Sequence, residues 1–141
     1  KIVSLDQTLA AWDSRTMRNF FGNGTRTYAD NESDGKANTD KIITRSDNQY
    51  YDAFERCRAK GSSWYLPAKD ELLLIYDNKN MLNLTIRKHS GTILSDRWYW
   101  SSTEYGINKP ELCAWVVNLI NGDNTRSNKD YNYEVRAVAT F

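Results

Sequence analysis

Three phrases in fixed order constrain the fold of this chain more than anything else in it. They are Trp64-Tyr65-Leu66-Pro67-Ala68-Lys69-Asp70-Glu71-Leu72, then Tyr99-Trp100-Ser101-Ser102-Thr103-Glu104, then Ala114-Trp115-Val116-Val117-Asn118-Leu119 leading on to Glu134-Val135-Arg136-Ala137-Val138. None is a catalytic motif. Each reads as architecture: a helix start, a buried aromatic turn and a closing pair of strands. Pro67 stands just before a helix expected over 68–78, where its missing N–H leaves no bond unmade. Glu71 falls where a capping-box glutamate belongs, although Ala68 and not Ser or Thr holds the cap. Leu72, Ile75 and Tyr76 form the stripe expected to be buried.

Residues 47–60 predict a helix capped by Asp47, with Tyr50, Phe54 and Cys57 on one stripe and Gly61 ending it. Residues 30–40 read as a polar loop. Leu9, Trp12, Met17, Phe20 and Phe21 are spaced as on a helix, and Asn23-Gly24 stops that pattern. Ala114 to Ile120 is apolar on both faces, as a central strand should be. Asn121-Gly122-Asp123 signals a hairpin turn. Tyr133 to Phe141 alternates, with Val135, Ala137, Ala139 and Phe141 on one face. The expectation is one α+β domain over 1–141, two helices flanking a small twisted antiparallel sheet with long loops.

Composition excludes some functions. The net charge is +1 over 141 residues, without the clustered basic stripe that nucleic acid requires. No apolar run approaches the ~20 residues of a membrane span. The first residue is Lys1, so the chain is expected to be a trimmed mature domain whose signal or lipid anchor lies outside it. Cys57 and Cys113 allow two readings: one bridge closing a loop of about 57 residues, or two buried free thiols. Two cysteines and the single His89 are too few for a structural zinc site.

The phrases W-x-L-P-x-x-x-E-L after a cysteine-bearing helix, Y-W-S-S-T, A-W-x-V-N and the final V-R-A-V resemble the bacterial Lcl C-terminal domain family. Asp34-Gly35-Lys36-Ala37-Asn38-Thr39 matches a loop upstream in it, so the resemblance covers about 30–141 and leaves 1–29 as an extension or first element. The resemblance implies a C-type-lectin-like fold and an exposed module of a bacterial surface or secreted protein, as in adhesin tips. Three departures bear on function. Tyr65 stands where many members carry Arg. Ala137 stands where many carry Cys, so Cys57 lacks its usual partner and Cys113 is the available substitute. The Glu-Pro-Asn and Trp-Asn-Asp triplets of calcium-dependent lectins are absent, with only echoes in Pro110-Glu111 and Trp115-Val116-Val117-Asn118. No cofactor is expected, and no motif supports calcium.

Each candidate residue has a plain alternative. Trp100, with Trp64 and Trp115, is read as packing rather than as a sugar platform. Trp98, Tyr99 and Trp100 are adjacent in an extended segment and cannot all point inward. Glu71 and Arg136 are read as an ion pair tying the second helix to the last strand, which suits a forked guanidinium. Pro67 is structural. His89 lies in the polar run Arg87-Lys88-His89-Ser90-Gly91, and no catalytic arrangement accompanies it. Asp30, Glu32, Asp34 and Asn38 are rich in oxygen but lack the closing Glu of a calcium loop. The expected binding surface is Tyr105 and Asn108 together with Asn124, Arg126, Asn128, Lys129, Tyr131 and Tyr133. Tyr and Asn supply contact area and adaptable hydrogen bonds at low entropic cost.

The expectation is therefore a non-enzymatic, extracellular or cell-surface module that binds a glycan or a host or cell-surface protein through its C-terminal hairpin and loops. The alternatives are a structural or assembly module of a surface appendage, acting by homo-oligomerisation, and a binding protein diversified by a retroelement, since Asn, Tyr, Ser and Asp crowd 118–133. An enzyme of the formylglycine-generating kind needs reactive cysteines in a cleft, and Cys57 sits on a stripe expected to be buried.

Overall fold

The computed structural model describes residues 1–15 and 24–140. Along them run β1 (Ile2–Val3), β2 (Thr8–Ala11), α1 (Gly35–Ile43), α2 (Asp52–Arg58), β3 (Trp64–Tyr65), α3 (Lys69–Asp77), α4 (Lys79–Lys88), β4 (Trp98–Glu104), β5 (Cys113–Asn118), β6 (Asn124–Asn128), β7 (Asn132–Val135) and β8 (Val138–Ala139). The class is α+β, with four helices among the described residues where two were expected.

α3 forms as its sequence predicts. Leu72 and Ile75 are buried, and Oε1 of Glu71 accepts the N–H of Ala68 at 3.1 Å, which is the glutamate's half of the capping box; Ala68 has no side-chain oxygen for the other half. α4 follows directly and carried no recognised signal, because only Asn83 and Ile86 of its ten residues are buried.

α1 occupies the segment read as a polar loop. The Asp34 carboxylate caps it by accepting the N–H of Ala37 at 2.9 Å. Gly, Asn and Thr are poor helix formers, but tertiary contacts override propensity here. Asn38 is buried, accepting from Asn31 N and donating to Asn31 O and to Ser102 Oγ. Gly35 packs so tightly that an added Cβ would lie 2.4 Å from the Leu66 carbonyl oxygen.

The single helix expected over 47–60 is instead a 3-10 turn, Asn48–Tyr50, followed by α2. Asp47 caps no backbone N–H, because Arg45 and Arg15 hold its carboxylate at 2.8 and 3.1 Å. The break turns Tyr50 outward and buries Tyr51 against Trp12 and Phe54. Gly61, at φ +141°, follows the end of α2. The helical spacing read at the N-terminus is overturned as far as it is described. Leu9 lies on strand β2, exposed and opposite Glu134, and Trp12 is fully buried just beyond it. Met17, Phe20, Phe21 and Asn23 lie outside the described residues, as does Phe141.

Two sheets result, in the orders β1-β8-β3 and β2-β7-β4-β5-β6. Pairing is antiparallel except for one parallel bridge, Tyr99 to Glu134, between β4 and β7. The expected hairpin joins β5 to β6, with Gly122 at φ +80° in the turn. The alternating run from Tyr133 breaks at Arg136-Ala137, so β7 and β8 belong to different sheets. One core cluster holds Trp12, Tyr51, Phe54, Trp100 and Val116. The other holds Leu72, Ile75, Ile86, Tyr99 and Val117. Tyr99 and Trp100 thus serve opposite faces of β4.

The expected Glu71–Arg136 pair does not form. Glu71 is occupied by Tyr65 Oη at 2.6 Å, Lys1 Nζ at 2.8 Å and Gly35 N at 2.7 Å. Burial, then the bond to Glu71, pushes the Tyr65 phenol up. Arg136 donates to Ser4 O at 2.8 Å and to Thr92 O at 2.6 Å. Each residue is taken up by contacts with the N-terminal or loop segments, which the pairwise expectation ignored. Pro67 is buried, and its carbonyl accepts the N–H of Ser102. Cys57 and Cys113 are both buried free thiols, so the bridge is absent. Burial pushes Cys57 up to about 12 and raises Cys113 as well.

Candidate ligand-binding face

The site is framed by a buried ion pair. Glu104 ends β4, and Lys129 sits in the turn between β6 and β7; both side chains are fully buried. Lys129 Nζ donates to Glu104 Oε2 at 2.7 Å, to Pro110 O at 2.9 Å and to Thr25 O at 3.0 Å. All three ammonium protons are thereby used. The Trp12 ring lies 4.5 Å from the same nitrogen. Glu104 also accepts from Thr27 N and Oγ1, both at 2.8 Å, from Tyr28 N at 3.1 Å and from Arg26 Nη1 at 2.7 Å. Burial pushes the Lys129 pKa below that of an ordinary lysine, against the opposing pull of Glu104. Lys129 was expected to touch ligand. It cannot, because it is sealed inside, where it ties loop 24–30 and the 105–112 loop to the sheet.

Around this frame an aromatic face is exposed. In β5, Ala114 and Val116 point into one core, so Trp115 points the other way and remains half-buried. Arg126 of β6 pairs with it across the hairpin. Directly paired residues project from the same side of a sheet, so Asn124, Arg126 and Asn128 share the Trp115 face. Tyr105 packs edge-on against Trp115, with ring centroids 4.8 Å apart. The Arg126 guanidinium lies 5.6 Å from the Tyr105 ring. From α3, Lys69 Nζ lies 4.6 Å over the Trp115 ring and pairs with Glu32 at 3.0 Å. Beside Gly106, Arg26 stacks at 4.4 Å on the exposed ring of Tyr28.

The charge on this face is mostly balanced. Lys69 pairs with Glu32, and Arg26 with Glu104 and Asp30. Among the described residues Arg126 has no carboxylate partner, so it leaves one cation standing among aromatic rings. Cations over ring faces are held by the ring quadrupole, which presets the positions of Lys69 and Arg126.

Of the eight residues expected to bind, Tyr105, Asn124, Arg126 and Asn128 come together here, and Asn108 is exposed in the adjoining loop. Tyr131 is exposed in the β6–β7 turn, with its carbonyl accepting from Trp100. Tyr133 lies apart from this face: its ring packs on Trp100 at 5.0 Å and its hydroxyl meets Ser127 Oγ at 2.8 Å. Trp115, Lys69, Arg26 and Tyr28 were missed as site residues. Counting register outward from a two-residue Asn121-Gly122 turn sets Asn128 opposite Trp115; the observed turn closes around 119–122, which places Arg126 there instead. Trp100 is the core residue expected, fully buried and donating to Ala10 O and Tyr131 O. Trp64, read the same way, is only half-buried.

Among the described residues no three His, Cys, Asp or Glu side chains gather as a metal site. No helix among them is long and apolar enough to cross a membrane. The fold and this face define a mixed α+β domain that presents an aromatic surface on a rigid hairpin. The chain belongs to the Lcl C-terminal domain family, whose profile matches residues 3–139. That match takes in the N-terminal segment, whose strands β1 and β2 pair with β8 and β7. No curated protein matches the chain.

Proposed function

We propose that this domain is a non-enzymatic, extracytoplasmic binding module of a bacterial surface or secreted protein, with a C-type-lectin-like fold and an adhesin-like role. Its ligand is a glycan carrying an acidic group. The observation that carries the reading is the Trp115–Tyr105–Arg126 cluster. Trp115 and Tyr105 offer apolar ring surface for the C–H faces of a sugar, and Arg126 offers an unshared guanidinium for a carboxylate or sulfate. Fork-shaped donors suit such groups. The surrounding Asn124, Asn128 and Asn108 supply hydrogen bonds to hydroxyls. The C-type-lectin-like assignment is supported by antiparallel pairing of the N-terminal β2 with the C-terminal β7 and by helices packed beside the sheet.

A non-enzymatic reading fits the groups on offer. Both thiols are buried and pushed up, which removes the thiolate that nucleophilic chemistry needs. His89 stands at the C-cap of α4, and among the described residues no side-chain hydrogen bond joins it to a serine or a carboxylate.

The test is an array of neutral, uronate-bearing and sulfated glycans probed with the wild type, Arg126→Ala and Tyr105→Ala. We expect acidic glycans to bind the wild type and to lose roughly tenfold or more in affinity with Arg126→Ala. Equal binding by Arg126→Ala would remove the face from the account.

A further inference from the structure

We propose that the domain carries a second saccharide site, a groove around Trp98 that takes a neutral pyranose. It is distinct from the acidic-glycan face and does not rest on it. The groove encloses about 380 Å³ between the β2–β7 pair and the start of β4 with the end of β5. Trp98 is about 20 Å along β4 from Glu104, at ~3.3 Å per residue. Pockets that seat small ligands begin at about 300 Å³.

The first observation concerns the tryptophans. Trp12 and Trp100 are fully buried and donate their indole N–H groups to backbone carbonyls. Trp98 is half-buried, and its indole N–H has no acceptor among the described residues, although a buried indole N–H is normally satisfied. Trp98 thus presents ring surface and an uncommitted donor to the groove. Tyr133 adds a second half-buried ring, and Leu9 and Ile120, both 56% exposed, form apolar walls.

The second observation is the set of unspent polar groups. Among the described residues the Arg97 guanidinium, the Asn132 amide and the Glu134 carboxylate make no side-chain hydrogen bond or ion pair. Asn118 spends only its oxygen, on the N–H of Ile120 at 3.0 Å. Donors and acceptors therefore surround an aromatic floor, the arrangement that hydroxyls on a flat C–H face require. Asp96 at the rim is paired with Lys79.

Charge selects the ligand. Arg97 offsets Glu134, and Lys79 offsets Asp96, so the groove is neutral overall. An anionic sugar would meet Glu134 and Asp96, and a cation would meet Arg97. An uncharged pyranose satisfies both signs through hydroxyls.

The test is a titration of wild-type protein with methyl glycosides of glucose, galactose, mannose and N-acetylglucosamine, followed through the indole N–H resonances. At least one neutral glycoside should shift the Trp98 resonance saturably and leave that of Trp115 in place. Trp98→Ala should abolish binding. Because Trp98 also packs against the core, the double change of exposed Asn132→Ala with half-buried Glu134→Gln provides a second variant. It should keep the wild-type unfolding midpoint and weaken binding roughly tenfold. The proposal is overturned if no neutral glycoside moves the Trp98 resonance. It is equally overturned if only charged ligands do, or if the double variant binds as the wild type does. Arg126→Ala should leave this titration unchanged, which separates its failure from failure of the acidic-glycan reading.

Discussion

Trp115 and Trp98 lie toward opposite ends of the β4–β5 pair and have different surroundings. Trp115 is packed under Lys69 and against Tyr105, with Arg126 beside it, on a face braced by the buried Glu104–Lys129 pair. Trp98 lines an open groove whose charges cancel once Lys79, paired with Asp96, is counted, and in which several polar groups are unspent. In the two proposals the same residue type serves an acid-seeking platform in one place and a neutral polyol site in the other. The difference comes from charge pairing and bracing, which the tryptophans themselves do not encode.

The sharpest way to break this comparison is to remove its brace. Lys129→Ala strands the buried Glu104 carboxylate, and breaking a buried pair costs about 3–5 kcal/mol. Urea unfolding should show a loss of that size. Lys129→Met, which fills the space but leaves Glu104 uncompensated, should lose a comparable amount. A loss below about 1 kcal/mol would mean that the pair does not hold the loops.

Gly35→Ala should follow in size. Its Cβ would meet the Leu66 carbonyl at 2.4 Å, and backbone must move to relieve it, at about 1–3 kcal/mol. Thermal unfolding measures this, and the Trp98 groove should be left intact because Gly35 packs at the start of α3.

Both thiols should resist a thiol reagent in the folded protein and react fully, two per chain, in denaturant. Cys57 is held near 12 by burial, so raising the pH to 9 should not expose it. One or no reactive thiols after denaturation without reductant would restore the disulfide.

The smallest effect is in acid. Burial raises the pKa of Asp47, but the bonds and charges of Arg45 and Arg15 outweigh it and hold the carboxyl below the value of an ordinary aspartate. Its contribution to stability is complete above that value and disappears as pH falls through the folded-state pKa. Asp47→Asn should therefore narrow the gap in stability between pH 7 and pH 3 by less than about 1 kcal/mol, since the pair is partly exposed.

Much of the fold was legible where local and tertiary preferences agree. α3 has its proline, its Glu71 and its apolar stripe, and Asn121-Gly122-Asp123 makes the turn its sequence demands. α1 was hidden because Gly35, Asn38 and Thr39 are chosen for close packing and buried hydrogen bonds rather than helix propensity. Leu9 and Trp12 suggested a helix because two residues three apart fit several patterns, and only pairing with β7 decides for a strand. In the site, Arg126 and Tyr105 were found from residue type alone. Lys129 was misplaced because a lysine among asparagines reads the same whether it faces solvent or a buried carboxylate. Trp115 was assigned to the core because Ala114 to Ile120 is apolar on both faces, which conceals that Trp115 stays half-buried.

The most direct test of the central claim follows the indole N–H resonances of Trp115 and Trp98 during titration with a sulfated or uronate-bearing oligosaccharide. The account predicts a saturable shift at Trp115, absent in Arg126→Ala, while Trp98 stays still. A shift at Trp98 with none at Trp115, or no shift at either, would contradict it.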